Sequence, residues 1–154
     1  MTAPGAEGPA VLLGARGWEH AGWRERFYPV GMPEDWWLTF YNTQFGCVFL
    51  DGATWQGAGD EALTRWRDET HERFLFLLEG DAATSRPAAL ADKALVLPAG
   101  DPAILWFERD TDLKRISAWL QRQDASPGLR FLLSRDADLG QIERVTTLLE
   151  LLGW

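Results

Sequence analysis

Five charged residues, Arg16, Asp51, Glu79, Glu108 and Arg135, each follow within about two positions of the end of an apolar run, and Arg109 stands beside the fourth. Carboxylates that converge in a pocket can act as general acid and base, and a guanidinium beside them can hold an anion through paired hydrogen bonds. Asp51, Glu79 and Glu108 are therefore the candidate catalytic residues, with Arg16 and Arg135 as candidate anion holders. The same carboxylates would be hard oxygen ligands for Mg or Ca if they met. No spacing in the chain matches a metal motif, so no metal is expected, and no cofactor either. A structural reading competes with the catalytic one: strands stop where polarity returns, and an Asp at such a junction also caps the next helix. Arg16 and Arg135 escape that reading, because a cation does not cap a helix start.

A second candidate is the loop between Trp18 and Tyr28. Trp18, Trp23 and Tyr28 could stack on a planar or sugar-like ligand while Arg16, Arg24 and Arg26 hold an anion, and Trp55, in the loop after the second strand, joins the same ligand-binding set. Alternatively, a loop this rich in Trp plugs one end of a sheet and needs no ligand. Other chemistries find little support. Cys47 lies inside an apolar run, no Gly-x-Ser-x-Gly elbow exists, and Gly14-x-x-Gly17 lacks both the Lys-Ser/Thr of one phosphate loop and the third glycine of the other.

The elements that must position these groups read as alternating strands and helices. Apolar runs at 11–13, 47–50, 74–78, 94–97, 104–107 and 129–133 have the continuous character of strands buried on both faces. The first is expected to stop at Gly14. Pro33 fits a first helical position, with Glu34 and Asp35 in the first turn, and Trp37, Leu38, Tyr41 and Phe45 then recur at helical spacing until Gly46. Residues 55–59 read as a loop, Asp60 as the cap of a helix through about His71, and residues 81–92 as a connection able to hold a short helix. Leu113, Ile116 and Leu120 mark another helix, ending before Ser126-Pro127-Gly128. Asp138 with Gln141 resembles a capping box ahead of a closing helix carrying Leu139, Ile142, Val145, Leu148, Leu149 and Leu152. The spacer Pro98-Ala-Gly-Asp-Pro102 is too short for a helical crossover, so 94–97 and 104–107 form either a hairpin or two strands that are not neighbours in a simple repeat.

Gly17-Trp18, Trp23, Phe27-Tyr28-Pro29, Gly31, Pro33, Trp37-Leu38, Tyr41, Phe45 and Val48 together resemble the YecE-like family of uncharacterised proteins, and Arg65-Trp66, Glu69-Thr70 and Phe74-x-Phe76 continue the likeness. The resemblance implies a barrel of alternating strands and helices and covers the first half of the chain. Leu129-Arg130-Phe131 and Arg135 echo a family segment that carries a Glu and an Arg. Two departures stand out. Where the family tends to have Glu-x-Asn-x-x-Phe-Tyr, this chain has Asp51-Gly52-Ala53-Thr54-Trp55-Gln56, and where the family places a Lys after its third strand, Glu79 stands here. Members run to about 250 residues, as complete eight-stranded barrels do. At 154 residues, a truncated and chemically altered relative is expected.

The fold expectation is thus α/β: a truncated TIM-barrel-like partial β/α barrel, or an open, mostly parallel sheet of five to six strands with flanking helices. Residues 1–10 read as a flexible tail and 11–154 as one domain. With 46% hydrophobic residues the chain can bury a real core. A net charge of −8 disfavours contact with a phosphate backbone, so no nucleic-acid partner is expected. A single Cys and the lack of a spanning segment or signal peptide point to the cytoplasm and away from membranes. Five or six strands do not close the circle that eight define, and Leu151 and Trp154 look like apolar surplus on the closing helix, so a homodimer is expected. Function divides between two classes. One is a non-catalytic or weakly active domain that binds a small anionic or sugar-like molecule, or scaffolds, with its site at the carboxyl ends of the strands. The other is an enzyme acting on such a molecule by carboxylate acid/base chemistry.

Overall fold

In the computed structural model, which describes residues 11–122 and 128–154, six strands form one parallel sheet. They are β1 (Val11–Arg16), β2 (Cys47–Leu50), β3 (Leu75–Glu79), β4 (Ala94–Leu97), β5 (Ile104–Phe107) and β6 (Arg130–Ser134), in the order β4-β3-β2-β1-β6-β5. The helices are α1 (Trp37–Gln44), α2 (Gly52–Gln56), α3 (Gly59–Asp68), α4 (Leu113–Leu120) and α5 (Leu139–Leu152). The tail expected at 1–10 and the Ser126-Pro127 break lie outside the described residues.

The strands are apolar between their ends, with polar residues only at the termini of β1, β3 and β6, because both faces of the sheet are covered. One face carries Ala15, Val48, Leu50, Phe76, Leu78, Leu105, Phe107 and Leu132, and the apolar stripes of the helices pack on it through Trp37, Leu38, Tyr41, Leu63, Ile116, Leu120, Ile142 and Val145. The other face carries Cys47, Phe49, Leu77, Leu97, Ile104, Phe131 and Leu133. On it the Phe49 and Trp106 rings meet at 5.0 Å, although β1 and β6 separate their strands. A flat sheet would hold β2 and β5 about 14 Å apart at the usual strand spacing. The sheet therefore curls around this face into an open half-barrel with its helices outside.

The connection from β4 to β5 explains the broken period. Steps between neighbouring strands take a right-handed path over the outer face, and a step back across the whole sheet keeps the same hand only on the opposite face. Residues 98–103 accordingly cross the concave side, where Ala99 and Ala103 pack against the inner cluster. The Ala99 carbonyl accepts from Trp106 Nε1 at 2.7 Å, and the Ala103 carbonyl accepts from Phe131 N at 2.8 Å. Of the two arrangements open from sequence, the hairpin is not formed: β4 and β5 are the two edges.

Several local expectations shift by physical cause. β1 continues past Gly14, whose Cβ would come within 2.3 Å of the Cys47 carbonyl oxygen, so glycine serves close strand approach there and not a stop. Pro33 caps a 3-10 turn, Glu34–Trp36, before α1 begins at Trp37. Of the residues expected as a loop, Trp55 and Gln56 end α2 and Gly59 begins α3, and Asp60 lies in the first turn of α3 behind a cap at Ala58. The Asp138 carboxylate accepts from Gln141 N at 2.9 Å, but the Gln141 side chain donates to Thr111 O instead of completing the capping box. That bond ties α5 to the loop after β5. Among the described residues, no helix is long and apolar enough to cross a membrane.

Candidate functional site

Side chains alternate between the faces of a strand, and the five strand-end charges all continue the inward rows. Leu12, Gly14 and Arg16 share one row, as do Phe49 and Asp51, Leu77 and Glu79, Trp106 and Glu108, and Leu133 and Arg135. Around the mouth of the half-barrel the order of the strands sets the order of the charges: Glu79, Asp51, Arg16, Arg135, Glu108. The two cations are central and each leans outward to an acid. Arg16 donates to Asp51 Oδ1 from Nε at 2.9 Å and from Nη2 at 2.8 Å. Arg135 Nη1 lies 3.7 Å from Glu108 Oε2, with its guanidinium 5.2 Å from the Trp106 ring centre.

Glu79 follows the capping reading in an unexpected way. Its Oε1 accepts from Gly52 N at 2.8 Å, holding the start of α2 from the neighbouring strand, while its backbone carbonyl accepts from Trp55 Nε1 at 3.1 Å. Among the described residues, no three His, Cys, Asp or Glu side chains gather into a metal-binding group.

A cavity of about 220 Å³ opens beside the first ion pair, lined by Arg16, Gly17, Trp18, Glu19, His20, Asp51, Thr54 and Trp66. Gly17 shapes it: at φ +76° it turns the chain off β1, its N–H bonds Phe49 O, and its carbonyl meets His20 Nε2 at 3.1 Å. Trp18 stands edge-on to Trp66 at 4.9 Å. Burial holds the His20 pKa below its ordinary value, against the pull of the nearby Gly17 and Arg16 carbonyls.

The other rings of the ligand-binding set stand behind this cavity, in the core. Trp23 is 2% exposed, donates to Ala137 O at 2.8 Å, and packs against Phe27, Tyr41 and Phe45. Tyr28 stacks on Trp37 at 4.4 Å and donates to the Trp18 carbonyl, which fixes the cavity wall from beneath. Trp55 is likewise buried. Arg24 pairs with Glu34 and lies over Trp37, away from the mouth. Trp23, Tyr28 and Trp55 all belong to the core cluster on the outer face of the sheet. Cys47 is fully buried and desolvation raises its thiol pKa, which suits a core residue.

The structure thus brings Arg16, Trp18 and Asp51 to one cavity, sets Arg135 and Glu108 further along the same mouth, and packs Trp23, Tyr28 and Trp55 in the core outside that cavity's lining. Sequence reasoning passed over Glu19, His20, Thr54 and Trp66 as cavity walls, and Trp106 as the ring under Arg135. Glu19 and His20 directly follow Trp18, Thr54 precedes Trp55, and Trp106 lies two positions before Glu108 on the same strand row, so adjacency to a candidate residue is the signal the sequence offers.

No curated protein and no solved structure matches this chain. The model of the family described as "Protein of unknown function DUF72" matches residues 12–99, which contain β2 to β4, all of β1 but Val11, the aromatic loop and the Arg16–Asp51 cavity, and this is the YecE-like family that the aromatic motif resembles. More than half of the chain is matched, and the protein belongs to the DUF72 family, whose function is unknown.

Proposed function

We propose that this chain is a non-catalytic or weakly active small-molecule-binding domain, with its site at the carboxyl ends of the strands and a small anionic or sugar-like molecule as its ligand. The observation that carries this reading is the engagement of every candidate acid: Asp51 with Arg16, Glu108 with Arg135, and Glu79 with the backbone at Gly52. Groups so committed bind and orient more readily than they shuttle protons. The two departures support the same reading, since Gly52-Ala53 replaces the Asn-containing run and Glu79 stands where the family tends to place a Lys.

Ligand-detected NMR against a panel of small acids and sugars tests the proposal. Binding that weakens at least tenfold in Arg16→Gln, with no turnover of the bound compound, is the expected result. Binding unaffected by Arg16→Gln and Arg135→Gln together overturns the site, and turnover lost in Asp51→Asn favours the acid/base enzyme instead.

The assembly proposed is a homodimer formed through α5, supported by the exposure of Leu151 at 79% and Trp154 at 43%. A reducing, cytoplasmic setting is proposed on the single, buried Cys47.

A further inference from the structure

The cavity beside Arg16 and Asp51 has a charge balance that discriminates between the two ligand classes named above. We infer that it takes an uncharged polyhydroxylated ring, a single neutral monosaccharide, in preference to an anion. The inference rests on the binding reading of the same site and narrows it.

Electrostatics comes first. The mouth sets two guanidiniums, Arg16 and Arg135, against three carboxylates, Asp51, Glu79 and Glu108, and Glu19 adds another carboxylate to the cavity wall. The chain as a whole carries −8, so no positive field draws an anion inward. An anion accepting from the remaining donors of Arg16 would sit beside the Asp51 carboxylate, two negative groups side by side, each disfavouring the other's charge.

A hydroxylated ring meets no such conflict. Both contacts from Arg16 fall on Oδ1 of Asp51, while a carboxylate has about four acceptor sites and a guanidinium five donors. Adjacent hydroxyls can therefore donate to the carboxylate and accept from the guanidinium with the pair intact. The side chains are 43% and 39% exposed, open enough for that contact. Thr54 adds a hydroxyl that both donates and accepts, and the half-buried Trp66, packed against the buried Trp18, adds an apolar wall for the C–H face of a ring. Size sets the limit: pockets for drug-sized ligands run to roughly 300–1,000 Å³, and this cavity, about 220 Å³, suits a single ring.

The test is a competition between charge states of one scaffold, using the full chain. Calorimetry and saturation-transfer NMR would compare neutral hexoses and pentoses with the matching uronic acids, sugar phosphates and inorganic phosphate. At least one neutral sugar should bind tenfold or more tighter than its anionic counterparts, and Asp51→Asn should weaken it at least tenfold. Thr54→Val, an exposed and conservative change, should weaken it about threefold and guards against misfolding of the Asp51 variant. An anion that binds tighter than the neutral sugars overturns this inference while leaving the binding domain standing. Neutral binding insensitive to both variants also overturns it. Failure of every compound in both classes removes the binding reading itself.

Discussion

Phe49 on β2 and Trp106 on β5 meet edge to face at 5.0 Å across a sheet in which two strands lie between them. This contact spans the concavity, and Trp106 also donates to Ala99 in the crossing segment. One side chain thus joins the curl of the sheet to the return path of the chain.

Trp106→Ala should therefore destabilise the fold by about 3–5 kcal/mol, the usual cost of removing a large ring from a packed site. Trp106→Phe keeps most of the ring but leaves the Ala99 carbonyl without its donor, costing roughly 1–3 kcal/mol. Urea unfolding of the two variants checks the order. Equal, small effects would show that the crossing segment does not depend on this residue.

Tyr41 is the corresponding pin on the outer face. Its hydroxyl accepts from Ala15 N at 2.8 Å and donates to Cys47 O at 2.7 Å, bridging β1 and β2 from α1. Burial raises its pKa far above the ordinary range, so the neutral phenol is kept. Tyr41→Phe leaves a buried N–H and carbonyl without this partner and should lose roughly 1–3 kcal/mol, read as a lower denaturation midpoint with unchanged slope.

His20 should make stability depend on pH. Burial lowers its folded pKa below 6.5, so in the window just below 6.5 the unfolded chain binds more protons than the folded one. Stability is then full above pH 6.5 and falls as the pH drops through that window toward the folded value. His20→Asn should remove this component, and the difference in unfolding free energy between wild type and variant should shrink between pH 7 and pH 5. A constant difference across that range would contradict the assignment.

The proposed homodimer makes a prediction about mass. Light scattering at low micromolar concentration should return twice 17.3 kDa, and Leu151→Glu combined with Trp154→Ala should return the monomer. A wild-type monomer at that concentration sinks the proposal.

Local chemistry in the sequence determined the strands, because the middle of a strand covered on both faces is apolar at successive positions, as Cys47–Leu50 is. It also determined the inward aromatic stripe of α1 and the inward rows ending in Arg16, Asp51, Glu79, Glu108 and Arg135, since alternation along a strand is a local property. What it left open was non-local. Strand order depends on which edges can be reached by a six-residue return, and nothing within 94–107 says that β4 and β5 face apart. Only the packed structure decided that Trp23 and Tyr28 stand behind the cavity while His20 and Thr54 line it. An aromatic side chain in a loop has the same composition whether it meets a ligand or the core, and the distinction is made by distant partners such as the Ala137 carbonyl that holds Trp23. The pairing of Arg16 with Asp51, 35 positions apart in sequence, likewise exists only because parallel pairing sets β1 beside β2.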